Sequence, residues 1–215
     1  NNMQRNWLNV PHVTQFDDAD ITEMDSFRKS LKAEGEMRGV RVTPVAFLVK
    51  AIATALEDNA GFNRSLAGDG ESYIQKQYCN IGMAVDTPRG LVVPVIRNAS
   101  SMGIWEIAGE VAQLAEKARE GKLKPSDMQG GCFTLSSLGA IGGNGFTPIV
   151  NAPELGILGV SKAQMKPVWN GHDFEPRLML PLALSYDHRL INGGDAGRFM
   201  TQIVKLLSDI RHLAL

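Results

Sequence analysis

The amino-acid sequence predicts one layered domain that mixes α-helices with β-strands, an α/β or α+β fold. Its 215 residues contain no linker rich in Pro, Gly and Ser that would divide them into two domains. Segments with helical apolar spacing and strand-like apolar runs occur in mixed order, without internal repeats. This mixed order is typical of domains in which helices pack on a sheet.

Apolar residues at helical spacing predict four helices. Asp20 and Glu23 form a capping-box pattern that starts the first helix, and Gly35 ends it. Thr43 starts the second, because Pro44 then stands at the first helical position, where its missing N–H costs no hydrogen bond. The four predicted helices span residues 20–35, 43–56, 104–114 and 194–207.

Apolar runs between these helices predict strands. The runs 79–86 and 91–97 flank residues 87–90, whose Pro and Gly suit the turn of an antiparallel hairpin. A second turn is predicted at Asn170-Gly171. Further strands are predicted at residues 131–135, 155–160, 166–169 and 178–186, and His12 stands at the head of another.

Composition argues against several classes of protein. Lys and Arg total 22 against 23 Asp and Glu, a net charge of -1 without a basic run, so no nucleic-acid or anionic-membrane partner is indicated. The longest apolar run, 45–55, is interrupted by Lys50 and is too short to span a bilayer, and no signal-peptide pattern precedes it. Cys79 and Cys132 lack a metal or disulfide spacing and are predicted to be buried thiols. The sequence thus predicts a soluble protein of the cytoplasm.

Common catalytic motifs are absent from the sequence. There is no G-x-S-x-G elbow, no G-x-x-x-x-G-K-[ST] phosphate loop and no H-E-x-x-H pair, so hydrolase, nucleotide-binding and zinc-protease functions lose their usual support. Glycines 142, 143 and 145 do not match the G-x-G-x-x-G pattern of dinucleotide sites. No metal site is predicted.

Among the four histidines, His188 is the candidate catalytic base. It closes a long apolar strand and opens a turn that contains Asn192, a position where a side chain on a rigid sheet edge can face a cleft. An imidazole there can accept a proton near neutral pH. A strand-end histidine bonded to Asp187 is an equally acceptable interpretation of the pattern. From their positions in the sequence, the other three histidines, His12, His172 and His212, are predicted to be surface or structural residues.

Two serines form a second candidate group. The segment FTLSSLGAIGG, from Phe133 to Gly143, places Ser136 and Ser137 at the end of a predicted strand, before a glycine-rich bend that permits close backbone approach. A hydroxyl at this position could donate to an oxyanion. The residues alone favour the alternative, in which both serines bond to the backbone of a local turn.

Five segments of the chain resemble the catalytic domain of the dihydrolipoamide acyltransferases, the core components of 2-oxo acid dehydrogenase complexes. They are PHVTQFDDADIT from Pro11, NIGMAVDTPRGLVVPVIRNA from Asn80, GGCFTLSSLGAIGG from Gly130, FTPIVNAPELGILGVSKA from Phe146 and SYDHRLINGG from Ser185. The resemblance covers essentially the whole length. It implies the fold of chloramphenicol acetyltransferase, a mixed sheet with helices on one side in an α/β domain that forms trimers. The stretch from Thr147 to Trp169 is most similar to bacterial pyruvate dehydrogenase members, which implies acetyl as the acyl group.

The resemblance implies catalytic roles for three residues. His188 matches the family's base, which would take the proton of a thiol of coenzyme A or dihydrolipoamide. Ser136 matches the serine that donates to the oxyanion. Asn192 stands where many members have Asp, and because an amide carries no charge it cannot stabilise an imidazolium as a carboxylate would. It can still orient neighbouring groups.

The resemblance also implies a binding site for coenzyme A and a substrate channel. Ala115 falls at another contact position, where its side chain makes no polar bond, and Phe146 would form a wall of the channel. The residues that match coenzyme A contacts are Arg28, Thr43, Asp86, Ser136, Ser137 and Gly159.

Partners are implied in the same way. Family members form homotrimers with active sites between subunits, and the trimers build cubic or dodecahedral cages through C-terminal residues, here HLAL. The lipoyl and peripheral-subunit-binding domains that family members carry upstream are absent from residues 1–215, so the sequence is expected to be one acyltransferase domain that works with lipoyl domains, a decarboxylase and dihydrolipoamide dehydrogenase. Two alternatives stay open at this point: a mainly structural assembly core, and a free-standing acetyltransferase of the chloramphenicol type that modifies a hydroxyl.

Overall fold

A computed structural model of the protein describes residues 2–139 and 141–213. Its α-helices are α1 (Asn2–Asn9), α2 (Thr22–Ser30), α3 (Lys32–Arg38), α4 (Pro44–Asp58), α5 (Ile104–Arg119) and α6 (Gly193–Ser208). Its strands are β1 (His12–Asp20), β2 (Arg64–Leu66), β3 (Tyr73–Gln75), β4 (Ile81–Met83), β5 (Val85–Thr87), β6 (Gly90–Val92), β7 (Val95–Ile96), β8 (Phe133–Ser137), β9 (Gly156–Val160), β10 (Gln164–Trp169) and β11 (Phe174–Asp187).

The main sheet is mixed, as the sequence predicts. Its strand order is β1-β11-β9-β8-β4-β7, and β10 pairs with the first half of β11. Strand β8 is parallel to both β4 and β9, whereas the other pairs are antiparallel. Strands β2 and β3 form a separate small sheet, as do β5 and β6. The parallel strands β4, β8 and β9 therefore end at the same edge of the main sheet.

Helices cover one face of this sheet. Leu135 of β8, Leu158 of β9 and Leu184 of β11 point toward α4, α5 and α6 and share one apolar core with them. Because successive strand residues point to opposite faces, the residues between them line the other face. We call it the open face; on β8, β9, β11 and β1 it includes Thr134, Ser136, Gly159, Ala183, Ser185, Thr14 and Phe16. The predicted arrangement, with helices on one side, is confirmed.

The helix that the sequence predicts from Asp20 begins later in the chain than predicted. Asp20 is the last residue of β1, and α2 starts at Thr22 without a side-chain cap. The Asp20 carboxylate instead accepts hydrogen bonds from the backbone N–H and the hydroxyl of Thr22, at 3.0 and 2.6 Å. It also pairs with Arg177 of β11 at 2.6 Å. The predicted capping box is therefore wrong, because the carboxylate is used to join β1, β11 and α2.

The same segment divides into two helices. Leu31 separates α2 from α3, and Gly35, the predicted end, lies inside α3. The helix ends after Arg38 because Gly39 adopts a left-handed conformation with φ of 66°. The other three predicted helices are present as α4, α5 and α6.

The predicted hairpin is interrupted on both strands. The part of the hairpin farther from its turn pairs as β4 with β7 in the main sheet. The part next to the turn, β5 with β6, forms a separate two-stranded sheet. The break lies at Ala84, whose N–H donates to Leu135 of β8, and at Pro94, which has no N–H to donate. Asn170 and Gly171 form the predicted turn between β10 and β11. Helix α1 and the β2–β3 hairpin were not predicted, because their short segments lack a clear apolar period.

Both cysteines are buried thiols, as predicted. Burial raises the pKa of Cys79 to about 12 and also raises the pKa of Cys132. Such thiols stay protonated and unreactive at neutral pH. Across the described parts of the chain, no helix combines the length and the apolar character that crossing a membrane requires.

A carboxyl group, Glu154, is buried beside the open face. It is 4% exposed, and it accepts hydrogen bonds from the Thr134 hydroxyl at 2.5 Å and from the Asn151 amide at 3.2 Å. Burial raises its pKa from 4.5 to about 7, although these two hydrogen bonds and the nearby Lys76 amine act in the opposite direction. Ionised Glu154 is therefore costly to the folded state.

Replacing Glu154 with Gln is expected to stabilise the protein at alkaline pH. Between pH 4.5 and about 7 the unfolded chain releases the Glu154 proton while the folded chain keeps it, so the free energy of unfolding falls as pH rises. The total fall is on the order of 3 kcal/mol, since one pKa unit corresponds to about 1.4 kcal/mol. Urea unfolding at fixed protein concentration should show Glu154→Gln above the parent at pH 8, with a much smaller difference at pH 5.

The exposed Glu71 provides the matched control, because Glu71→Gln should not change the pH dependence. A Glu154→Gln variant that is less stable than the parent at pH 8, or equally shifted at both pH values, would contradict the assignment of Glu154 as a costly buried carboxyl.

Candidate active site

His188 lies directly after β11, on the turn that leads to α6. Its backbone N–H donates to the Pro11 carbonyl at 3.0 Å, which ties this turn to the start of β1. The side chain is exposed, and its ring centroid lies 5.8 Å from that of Tyr186. Within the described residues the imidazole has no hydrogen-bond partner. It is therefore available to accept a proton from a ligand.

Asp187 does not bond the His188 ring, so the alternative drawn from the sequence is wrong. Asp187 is buried, with 2% of the residue exposed. Its carboxylate accepts from the Arg189 guanidinium, at 2.9 Å from Nε and 2.6 Å from Nη2, and from the Arg189 backbone N–H at 3.0 Å. This hydrogen bonding raises the pKa of Arg189. The ion pair stiffens the turn on either side of His188.

Asn192 caps α6. Its side-chain oxygen accepts a hydrogen bond from the backbone N–H of Asp195 at 2.9 Å. Such caps stabilise a helix by about 1 kcal/mol. The oxygen thus has a structural role, and the N–H donors of the amide take no part in the cap.

Ser136 lies on the open face of β8, close to two other residues that the sequence singles out. It pairs with Gly159 of β9, and its hydroxyl makes no hydrogen bond within the described residues. A Cβ built on Gly159 would lie 2.9 Å from the Phe146 ring, so only glycine lets this ring approach the sheet. Ser136, Gly159 and Phe146 therefore form one group.

Ser137 points to the opposite face from Ser136. Its hydroxyl oxygen accepts from the Gly139 N–H at 3.2 Å, so the local-turn interpretation applies to Ser137 and not to Ser136. Asp86 lies on β5, just beyond β4, and β4 and β8 are parallel. Asp86 and Ser137 thus lie beyond the same edge of the sheet.

Ser136 and His188 lie at opposite ends of the sheet within one chain. Ser136 pairs with Gly159, and Gly159 pairs with Ala183 of β11. Since a strand rises about 3.3 Å per residue and neighbouring strands lie about 4.8 Å apart, Ser136 and the end of β11 are separated by roughly 13 Å along the strands and 10 Å across them. One small reacting group therefore cannot contact both residues of the same chain.

A third group surrounds a pocket of about 670 Å³ between α2, α3 and residues 39–42. Arg28 lines it and pairs with Asp25 at 2.8 Å. Thr43 follows the last lining residue, and its hydroxyl oxygen is buried without a hydrogen-bond partner within the described residues. The other charged lining residues are Lys29, Lys32, Glu36 and Arg41. Cations thus outnumber carboxylates around the pocket, which suits an anionic ligand.

The sequence interpretation missed the three further cations of this pocket. The sequence does contain a signal for Lys29, Lys32 and Arg41 as candidate binding residues, because basic residues recur around Leu31 and Val42. Their convergence depends on the break between α2 and α3 at Leu31, which the helical pattern did not predict.

The remaining histidines have structural or surface positions, as predicted. His12 uses both ring nitrogens, since Nδ1 donates to the Val10 carbonyl at 2.8 Å and Nε2 accepts from the Val150 N–H at 2.9 Å. The His172 side chain is 92% exposed in the turn before β11. In residues 2–139 and 141–213, no three His, Cys, Asp or Glu side chains are grouped so that they could hold a metal ion.

Two similar curated proteins have the same activity in their names. The chain is 58% identical over 214 residues to the dihydrolipoyllysine-residue acetyltransferase component of the pyruvate dehydrogenase complex of Pseudomonas aeruginosa, and 55% identical to that of Haemophilus influenzae. Both alignments cover 100% of this chain. They cover only 39% and 38% of those relatives, so the chain spans about two fifths of their length.

Solved structures support the fold. The dihydrolipoamide acetyltransferase of Azotobacter vinelandii, studied for the catalytic roles of a serine, a histidine and an asparagine, has a TM-score of 0.98 at 58% identity, covering 100% of this chain and 88% of that one. The cubic core of a pyruvate dehydrogenase multienzyme complex gives the same values. A chloramphenicol acetyltransferase matches with a TM-score of 0.60 at 15% identity over 96% of this chain and 93% of that one, which confirms the predicted fold.

The family comparison agrees with the five sequence segments. The model of the catalytic domain of 2-oxoacid dehydrogenase acyltransferases matches residues 1–215. The chain belongs to this acyltransferase family.

Proposed function

We propose that this chain transfers an acetyl group between dihydrolipoamide and coenzyme A, as the catalytic core of a 2-oxo acid dehydrogenase complex. The main support is one correspondence with the Azotobacter enzyme. The serine, histidine and asparagine studied for their catalytic roles in that enzyme have the same spacing along its chain as Ser136, His188 and Asn192 have here. At 58% identity, this spacing supports the same roles for the three residues.

The proposed reaction is a thioester exchange. The free imidazole of His188 takes the proton from the attacking thiol, and the sulfur bonds to the thioester carbonyl carbon. Ser136 donates its hydroxyl to the resulting oxyanion. The intermediate then collapses, the bond from carbon to the leaving sulfur breaks, and the imidazolium returns its proton to that sulfur. No covalent bond to the protein forms.

The reacting groups come from two subunits in this proposal. Ser136 and His188 are too far apart within one chain, but a neighbouring subunit can bring its His188 to the Ser136 group. Exposed aromatic residues support such a contact, because Phe16 on the open face and Trp169 and Phe174 at the β10–β11 turn are 60%, 56% and 69% exposed. A homotrimer of this kind would leave the site incomplete in a monomer.

The cationic pocket is proposed to hold the phosphates of coenzyme A. Arg28 would pair with a phosphate, and the Thr43 hydroxyl, which has no partner among the described residues, would bond to the bound ligand. Asp86, Ser137 and Gly159, at the carboxyl end of the parallel strands, would contact the remainder of the molecule. Phe146, which covers Gly159, would line the channel to Ser136.

The assembly and its partners are proposed from relatives. The likeness to a cubic core supports trimers that build a cubic cage, so structural assembly would accompany catalysis. Ala214 and Leu215, which belong to the C-terminal contact expected from the sequence, lie outside the described residues. In the complete complex, residues 1–215 would act as one acyltransferase domain that receives acetyl groups from lipoyl domains and works with the decarboxylase and dihydrolipoamide dehydrogenase. The relatives are bacterial, which supports a bacterial cytoplasmic location.

The test is a transfer assay with purified protein and free dihydrolipoamide. Acetyl-CoA should be a better donor than succinyl-CoA or branched acyl-CoA, and chloramphenicol should not replace dihydrolipoamide as acceptor. A chain that forms assemblies but transfers no acyl group would contradict the enzymatic function. Transfer to chloramphenicol instead of dihydrolipoamide would favour the hydroxyl-acetylating alternative.

A further inference from the structure

Gln15 of β1 lies against the turn that carries His188 and Asn192. Its side chain points to the helix side of the sheet, and its Nε2 donates to the Gly193 carbonyl at 3.1 Å. Gly193 follows Asn192 and is the first residue of α6. The β1 segment therefore holds this turn at two points, because the carbonyl of Pro11, immediately before β1, accepts a hydrogen bond from the His188 backbone N–H.

The same amide also contacts Tyr186. The Tyr186 hydroxyl and the Gln15 side chain lie beside the same residue, Gly193. Burial raises the pKa of this phenol, and its polar interaction with Gln15 opposes the rise. The Gln15 amide and the Tyr186 hydroxyl both lie close to Gly193. A Cβ atom added to this glycine would be 3.7 Å from Nε2 of Gln15 and 3.9 Å from the Tyr186 hydroxyl oxygen.

Tyr186 connects this contact to the proposed base. The residue is 1% exposed, so its hydroxyl needs a partner inside the protein. Its ring packs edge-on against Phe62 in the core and lies 5.8 Å from the His188 ring. A tyrosine fixed at its hydroxyl end presents a fixed surface to His188.

We infer that Gln15 is a positioning residue for acyl transfer, which rests on the proposed function. It fixes Tyr186 beside the His188 ring and Gly193 beside Asn192, so that both active-site side chains keep their places relative to β1. Gln15 does not touch reacting atoms and acts through these two neighbours. Small displacements of a catalytic group are sufficient to slow a reaction strongly.

The test replaces the amide while keeping its shape. Gln15→Met is expected to lower kcat for acetyl transfer about tenfold, with the KM of acetyl-CoA and of dihydrolipoamide changed less than about twofold. Gln15→Glu should be impaired at least as strongly, because it replaces the N–H donor with a carboxylate oxygen facing the Gly193 carbonyl. The control is Gln202→Met, which removes a comparable amide bond, to Asp58, far from the turn.

A second variant keeps the inference testable if Gln15→Met folds poorly. Tyr186→Phe removes the other end of the contact, and the double variant should lose less than the product of the two single losses. Unchanged kcat in Gln15→Met, a loss carried by KM, or independent effects of the two substitutions would overturn the inference. An inactive parent chain would instead overturn the proposed function, since the parent is measured in the same assay.

Discussion

The His188→Ala variant is expected to transfer acetyl groups about a thousandfold more slowly than the parent, within the range that general base catalysis contributes. Without the imidazole, only the thiolate already present in solution can attack. Thiols have a pKa near 8.5, so this fraction is a few per cent at neutral pH. The residual rate should therefore rise with pH up to about 8.5. The rate can be measured from acetyl-CoA and dihydrolipoamide by separating the S-acetyldihydrolipoamide and free coenzyme A that are formed.

The matched control is His172→Ala, which removes an exposed imidazole at the turn before β11. It should keep the activity of the parent. Equal rates for the parent and His188→Ala would remove His188 from the mechanism, and a residual rate independent of pH would contradict attack by free thiolate.

Replacing Ser136 with alanine is expected to lower kcat by about 10² to 10³, the usual effect of losing an oxyanion donor. The hydroxyl has no other partner within the described residues, so its removal should cost little stability. The KM values should change much less, because the oxyanion exists only in the transition state and intermediate. Steady-state kinetics and a thermal melt of the same preparation test both points.

Ser72→Ala serves as the control for this variant, since Ser72 bonds Asp69 in the turn between β2 and β3, away from the proposed site. If Ser136→Ala raised KM while kcat stayed unchanged, Ser136 would bind substrate without stabilising the oxyanion.

Short sequence patterns correctly predict helix starts and turns that depend only on neighbouring residues. Pro44 after Thr43 correctly starts α4, and the Asn170-Gly171 turn correctly joins β10 and β11. The failure at Asp20 has a tertiary cause, because Arg177, 157 positions along the chain, pairs with its carboxylate. A local capping rule does not include that partner.

The same distinction applies to the candidate active site, where the sequence indicates the residues and the fold sets their positions. The resemblance identified His188, Ser136 and Asn192 as candidates, but the strand order sets where they lie, and β8, β9 and β11 come together only in the folded sheet. The separation of Ser136 from His188 follows from the pairing of Gly159 with Ala183. The role of Gln15 likewise depends on its contacts with Gly193 and Tyr186, which no sequence spacing indicates.

We propose that each active site combines Ser136 of one subunit with His188 of another. The decisive measurement is the activity of mixed trimers assembled from equal amounts of Ser136→Ala and His188→Ala chains, each nearly inactive alone. Random mixing in a cyclic trimer leaves about a quarter of the sites with both residues intact, so about a quarter of the parent activity should return. Mixed trimers with no more activity than the separate variants would show that both residues act within one chain, and would contradict the shared site.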